Sequence, residues 1–224
     1  MVTAIIVAAG KSERMGVAGT DKAFLSLVNK PVVAWSLLAF ERCAEIDRIV
    51  LVVRKDQVLA GQAVGKMFGI SKLIKVVPGG NRRQDSVQAG LKVCDIDTRF
   101  VVIHDGARPC VRSEVIAETV KLAKRFPAVT VGHRVTDTIK TVSKGAVVGE
   151  TLERDKLWAV QTPQAFQIRV LRDAYAQLGG KEITDDCQAV EQAGGQVKIY
   201  ETLEPNLKVT TPQDLALVSA IVGR

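Results

Sequence analysis

Apolar runs of strand length, rich in β-branched residues, punctuate the first half of the chain at Ala4 to Ala8, Ile49 to Val53, Leu73 to Val77 and Phe100 to Ile103. They are nearly continuous rather than alternating, the pattern of strands buried on both faces of a sheet. Between them lie 31–43, 56–68 and 83–94, where apolar residues recur at intervals of three and four, so each predicts a helix with one buried stripe. Pro31 suits the first turn of its helix, where an N–H would have no intrahelical partner. Regular strand-helix alternation predicts an α/β fold with a mostly parallel sheet covered by helices on both faces, three layers in all. Ligands in such folds sit beyond the carboxyl ends of the strands. No repeat, low-complexity tract or long linker interrupts the pattern, so 1–224 is expected to form a single domain.

One segment breaks the rhythm. "VTVGHRVTDTIKTVSKGAVVGET", residues 129–151, alternates Val and Thr with polar residues around a turn-like "SKG" and predicts strands with a hairpin. A hairpin projecting from an α/β unit exposes strand edges that need covering. The segment is either a solvated ornament or, the sharper expectation, an arm that joins subunits, at about 134–156.

Lys and Arg number 31 against 24 Asp and Glu, a formal charge of +7, which suits an anionic partner. Phosphorylated metabolites and nucleic acids both qualify. Aromatic residues, however, are only 4% of the chain and are not interleaved with a basic stripe, as stacking on single strands requires, so no nucleic-acid partner is expected. Cys43, Cys94, Cys110 and Cys187 form no CxxC pair, which argues for reduced cytosolic thiols rather than a zinc site or disulfide framework. The first apolar run has no basic region before it, and no stretch approaches the roughly 20 apolar residues of a membrane span. A cytoplasmic protein without membrane anchor is expected.

The candidate chemistry gathers at the predicted strand ends. "IIVAAGKSERMG", residues 5–16, turns from strand into a loop whose backbone N–H groups can face a phosphate while Lys11, Arg14 and Lys22 add positive charge. It is not a P-loop, because Ile5 stands where that motif has its first glycine, and Gly10 and Gly16 do not complete a dinucleotide fingerprint. In "PGGNRRQDS", residues 78–86, paired glycines would let a planar base lie against backbone, with Asn81 and Ser86 bonding its edges. "VVIHDGARP", residues 101–109, ends a strand in Asp105, suited to a Mg²⁺ that bridges phosphates, and in Arg108, whose fork suits a second anion. His104 has no nucleophile beside it and is assigned a packing role. "EPNLKVTTPQDL", residues 204–215, predicts a short strand, then a helix capped by Thr211 and Asp214 with Pro212 in its first turn. Lys208 and Glu204 would bring a charge and a second carboxylate to the metal.

The ordered blocks "AIIVAAGKSERMG", "DKAFL", "GGNRRQDSV", "HDGARP", "DTIK", "ERDKLWAVQTPQAF", "ITDD" and "NLKVTTPQDL" together resemble the 2-C-methyl-D-erythritol 4-phosphate cytidylyltransferase family. The resemblance implies a Rossmann-like nucleotidyltransferase sheet and a Mg²⁺-dependent transfer of CMP from CTP to 2-C-methyl-D-erythritol 4-phosphate, in isoprenoid precursor biosynthesis. It makes Arg14 and Lys22 catalytic cations, and puts Ala8, Ala9, Gly10 and Lys11 on the triphosphate. Gly80, Asn81 and Ser86 fall on cytosine recognition, Asp105 and Gly106 also fall on the CTP site, and Asp105, with Glu204 beside it, on the metal. Arg108, Thr162 and Lys208 match the acceptor-phosphate site. Thr138 and Arg154 match residues that reach the neighbouring subunit's site, which implies a homodimer with composite sites. The chain departs from the family pattern at Asp21, where proline is common, at Asn81, where some relatives have Asp, and at Gly106, often Ala. A cytidylyltransferase for another alditol phosphate, such as ribitol 5-phosphate, is the alternative, since the same CTP machinery serves both.

Overall fold

A computed structural model describes residues 1–10 and 21–223. The chain opens with β1 (Val2–Ala8), then a tight pair of two-residue strands, β2 (Ser26–Leu27) and β3 (Lys30–Pro31). Next come α1 (Val32–Arg42), β4 (Arg48–Val53), α2 (Val58–Met67), β5 (Leu73–Pro78), α3 (Arg83–Lys92), β6 (Phe100–Asp105) and α4 (Ser113–Ala123). The second half holds β7 (Ala128–Arg134), β8 (Lys140–Val142), β9 (Val148–Thr151), β10 (Trp158–Gln167), α5 (Ile168–Gln177), α6 (Asp186–Gln192), β11 (Val197–Glu201) and α7 (Pro212–Val222).

Seven strands form the central sheet in the order β11-β7-β10-β6-β1-β4-β5. All pair in parallel except β10, which runs antiparallel to both neighbours. The two-residue period of a strand sends alternate side chains to opposite faces. On β1 and β4, Ala4, Ile6, Ile49, Leu51 and Val53 pack with Leu37 and Phe40 of α1 and with Ile116 and Val120 of α4. Ile5, Val50 and Val52 instead meet Val87 and Leu91 of α3 and Leu171 of α5. The predicted three-layer, mostly parallel α/β architecture is thus present, with strands that read as continuous apolar runs because both faces are covered.

Two local expectations change. The segment before α7 forms no strand; residues 202–210 run without ladder pairing, fixed instead by Val209 N–H to the Ala107 carbonyl at 2.8 Å and by Asn206, whose amide donates to the Thr162 carbonyl at 2.7 Å. The hairpin is narrower than the Val/Thr run: β7 belongs to the main sheet, and only β8 and β9 pair with each other as a separate two-stranded sheet. Its turn places Gly145 at φ +77°, a region a glycine enters without steric cost. The cap of α7 is as expected: Thr211 and Asp214 exchange side-chain-to-backbone bonds and Pro212 opens the helix.

Candidate active site

Two cavities open at the carboxyl ends of β1 and β6, of about 690 Å³ and about 530 Å³, both within the range of small-molecule sites. The larger is lined by Ala8, Ala9 and Gly10 after β1, by Lys22, and by Gly80, Asn81 and Ser86 before and within α3. The smaller is lined by Arg108, by Gln161, Thr162 and Gln164 of β10, and by Gln188 of α6. Arg83, Asp105 and Lys208 line both. A third cavity of about 630 Å³, between α2 and β5, is lined mainly by aliphatic residues, glycines and lysines and gathers no carboxylate-cation cluster.

The shared wall is an ion cluster around one carboxylate. Lys208 Nζ lies 2.6 Å from Asp105 Oδ2, Arg83 Nε lies 3.1 Å from Oδ1, and Arg108 Nε stands 3.7 Å from Oδ2. Burial by itself would raise the Asp105 carboxyl, but Arg83, Lys208 and Arg108 outweigh it and hold the pKa well below the usual carboxylate range. Asp105 is therefore ionised in this cluster. Arg108 is partly buried, which lowers its pKa from the ordinary value, and its Nη1 donates to the Asn206 carbonyl at 2.7 Å.

A relay of neutral groups fixes that carboxylate from behind. The Asp105 N–H donates to Thr162 Oγ1 at 3.0 Å, Thr162 Oγ1 lies 3.1 Å from His104 Nδ1, and His104 Nε2 lies 3.2 Å from the Arg108 carbonyl. A carbonyl only accepts, so Nε2 carries the imidazole proton and Nδ1 accepts from the threonine hydroxyl. Full burial pushes the His104 pKa down to about 3, keeping the ring neutral against Phe40, whose centroid is 5.1 Å away. His104 is thus a packing residue. Thr162, expected at the acceptor-phosphate site, lines the smaller cavity with its hydroxyl bonded to His104 Nδ1.

The loop before α3 explains its glycines by packing. A Cβ on Gly79 would come within 2.5 Å of the Ala9 Cβ, and one on Gly80 within 2.4 Å of the Asp85 Cβ, so only glycine lets this loop close on α3 and β1. Ser86 Oγ accepts from the Gly80 N–H at 3.1 Å and lies 3.3 Å from the Arg82 carbonyl, holding the loop shut. Asp21, the departure from proline, turns Oδ1 to the Ala23 N–H at 3.0 Å. It caps the short helical turn Lys22–Phe24 that presents Lys22 to the larger cavity.

Several expectations fall elsewhere. Lys11 and Arg14 lie outside the described residues. Gly106 lines neither cavity; its N–H donates to the Val7 carbonyl, its carbonyl accepts from Ser36, and a Cβ there would crowd Ala8 at 3.1 Å. Glu204 is corrected as a metal neighbour: it lines neither cavity and pairs with Arg112 at 3.0 Å on the surface. Thr138 and Arg154 are exposed, outside both cavities, with Arg154 Nη1 bonded to the Thr136 carbonyl at 2.8 Å. Arg83 was missed in the sequence. The signal was the second arginine of "NRR" at the start of a helix, but its partners lie 22 and 103 positions along the chain at Asp105 and Asp186.

Among the described residues no group of three or more His, Cys, Asp or Glu is placed to cage a metal ion. One ionised carboxylate facing both cavities fits a hard cation that takes its other ligands from phosphates and water.

A model of the family described as "IspD: 2-C-methyl-D-erythritol 4-phosphate cytidylyltransferase" matches residues 2–224. The chain is 42% identical over 227 residues to the protein of that name from Alkaliphilus metalliredigens (strain QYMF), covering 100% of this chain and 93% of the relative. It is 41% identical to that of Dehalococcoides mccartyi (strain ATCC BAA-2266 / KCTC 15142 / 195), over 100% and 96%. Among solved structures, 4-diphosphocytidyl-2C-methyl-D-erythritol synthase from Anaerococcus prevotii DSM 20548 superposes with a TM-score of 0.87 at 29% identity, over 100% of this chain and 96% of that one.

Proposed function

The chain belongs to the 2-C-methyl-D-erythritol 4-phosphate cytidylyltransferase family, and from that premise we propose how its residues do the work. The enzyme is a nucleotidyltransferase of the methylerythritol phosphate pathway, moving CMP from CTP to 2-C-methyl-D-erythritol 4-phosphate. In our reading, a phosphate oxygen of the acceptor attacks the α-phosphorus in line. The bond to the bridging oxygen breaks, and pyrophosphate leaves with its electron pair. No side-chain nucleophile takes part, so the rate comes from positioning and from neutralising charge on a crowded phosphorus.

The observation that carries this reading is that two cavities share Arg83, Asp105 and Lys208 as one wall. CTP takes the larger, its triphosphate along Ala8, Ala9, Gly10 and Lys11 and its cytosine against Gly80, Asn81 and Ser86. Arg14 and Lys22 stabilise the transition state and the departing pyrophosphate. The acceptor phosphate takes the smaller, held by Arg108 and Lys208, so the reacting groups meet at the wall. Asp105 would hold Mg²⁺ together with triphosphate oxygens; bound there, the ion supplies charge neutralisation. The active unit is a homodimer in which Thr138 and Arg154 of one subunit complete the other's acceptor site. No helix among the described residues is long and apolar enough to cross a membrane, and free cysteines suit a cytoplasmic setting.

A pyrophosphate-release assay with CTP and Mg²⁺ against a panel of acceptors tests the function. Release that requires 2-C-methyl-D-erythritol 4-phosphate is expected. Preference for ribitol 5-phosphate, or no acceptor-dependent release at all, would overturn it.

A further inference from the structure

We propose that Arg83 is a positioning residue for this transfer: anchored on the buried Asp186, it keeps the Asp105 carboxylate fixed between the two substrates. The inference rests on the reading of the two cavities given above. Arg83 opens α3 and divides its guanidinium between two carboxylates, with Nε 3.1 Å from Asp105 Oδ1 and Nη1 2.7 Å from Asp186 Oδ2. Asp186 is fully buried and lines neither cavity. Its other oxygen accepts from the Tyr175 hydroxyl at 2.5 Å, and its N–H donates to Gln164 Oε1 at 3.2 Å. The neighbours of Arg83 tie the same helix end to the same segment: Arg82 Nη1 donates to the Gly180 carbonyl, and Gln84 bonds both the Lys181 carbonyl and the Ile183 N–H.

This anchoring separates Arg83 from the other cations around Asp105. Lys208 keeps 35% of its side chain exposed and holds Asp105 by a single ammonium. Arg108 touches only one carboxylate. Both face the smaller cavity, so a phosphate arriving there competes with Asp105 for them. Arg83 does not follow, because its far end is paired with a carboxylate that no ligand reaches. It therefore retains Asp105 while the other two turn to substrate. A lysine is a poor replacement, since its ammonium lacks the rigid planar fork that sets Nε on one carboxylate and Nη1 on the other.

Steady-state kinetics with CTP, Mg²⁺ and 2-C-methyl-D-erythritol 4-phosphate, alongside CTP calorimetry and melting temperatures, test this on wild type, Arg83→Lys and Asp186→Asn. For Arg83→Lys we expect kcat to fall on the order of 10²-fold, as misplaced reacting groups do, with the CTP dissociation constant within about threefold of wild type. Asp186→Asn, which touches no substrate, is expected to lose roughly tenfold in kcat with both KM values unchanged, as supporting residues behind a ligand do. Wild-type kcat in either variant, or losses that vanish once activity is scaled to the folded fraction, would overturn the inference. A wild type that makes no cytidylyl product would instead overturn the functional reading, so the two failures are distinct.

Discussion

The ion cluster at Asp105 and the β8–β9 hairpin, which Thr138 and Arg154 flank, are both tied to one proposed reaction, yet the chain treats them oppositely. Around Asp105 every charge has a partner within the same chain, drawn from β6 and the turn after it, the start of α3 and the segment before α7. In the hairpin, residues 140–151 are all exposed, including Val142, Val147 and Val148 at 59%, 62% and 56%. Apolar side chains on a strand edge favour pairing with another chain. One region is finished by its own fold, and the other is a surface that a second copy would finish. The cluster's charges are thus organised within one chain, whereas the proposed composite site would need a second copy for its last acceptor contacts.

The largest effects should come from the finished region. Lys22→Ala and Lys208→Ala are each expected to lower kcat by about 10² or more, as removal of a transition-state electrostatic partner does. Initial rates of pyrophosphate release measure this, and wild-type turnover in both variants would remove the charge argument. Mixing two inactive variants, Lys22→Ala and Arg154→Ala, probes the other region. Random exchange in a composite homodimer leaves half the dimers mixed, each with one intact site, so about a quarter of wild-type activity should return. No recovery after demonstrated exchange would confine the site to a single chain. Arg108→Lys should raise the acceptor KM by roughly tenfold with a smaller change in kcat, because a point charge replaces a fork; an unchanged KM would take Arg108 off the acceptor. The smallest effect lies outside both regions. Asp214→Ala removes the capping acid of α7 and should cost about 1 kcal/mol in denaturant unfolding, with kcat unchanged.

The sequence carried the frame and part of the site, for physical reasons. Strands covered on both faces are nearly continuous apolar runs, so β1, β4 and β6 are legible, and with them the strand ends where Ala8, Gly10 and Asp105 lie; β5, at the sheet edge, is legible from Leu73, Ile74, Val76 and Val77 despite the exposed Lys75. Thr211, Pro212 and Asp214 announce a helix start by local chemistry. What failed was distant pairing. The Arg83–Asp186 bond joins residues 103 positions apart, and nothing near "NRR" reveals it. Thr162 lines the smaller cavity, but its tie to His104, 58 positions away, is equally invisible in the local sequence. A short strand before α7 would carry Glu204 toward the metal, whereas the irregular segment that forms turns its carboxylate to Arg112.

The central claim is that CTP and the acceptor meet at the wall of Arg83, Asp105 and Lys208. A crystal structure with CTP, Mg²⁺ and 2-C-methyl-D-erythritol, the acceptor without its reactive phosphate, tests it most directly. The account predicts the triphosphate along Ala8 to Gly10 with its α-phosphorus facing Asp105 and Lys208, and the polyol across that wall beside Arg108. Nucleotide bound elsewhere, or both ligands on the same side of Asp105, would contradict it.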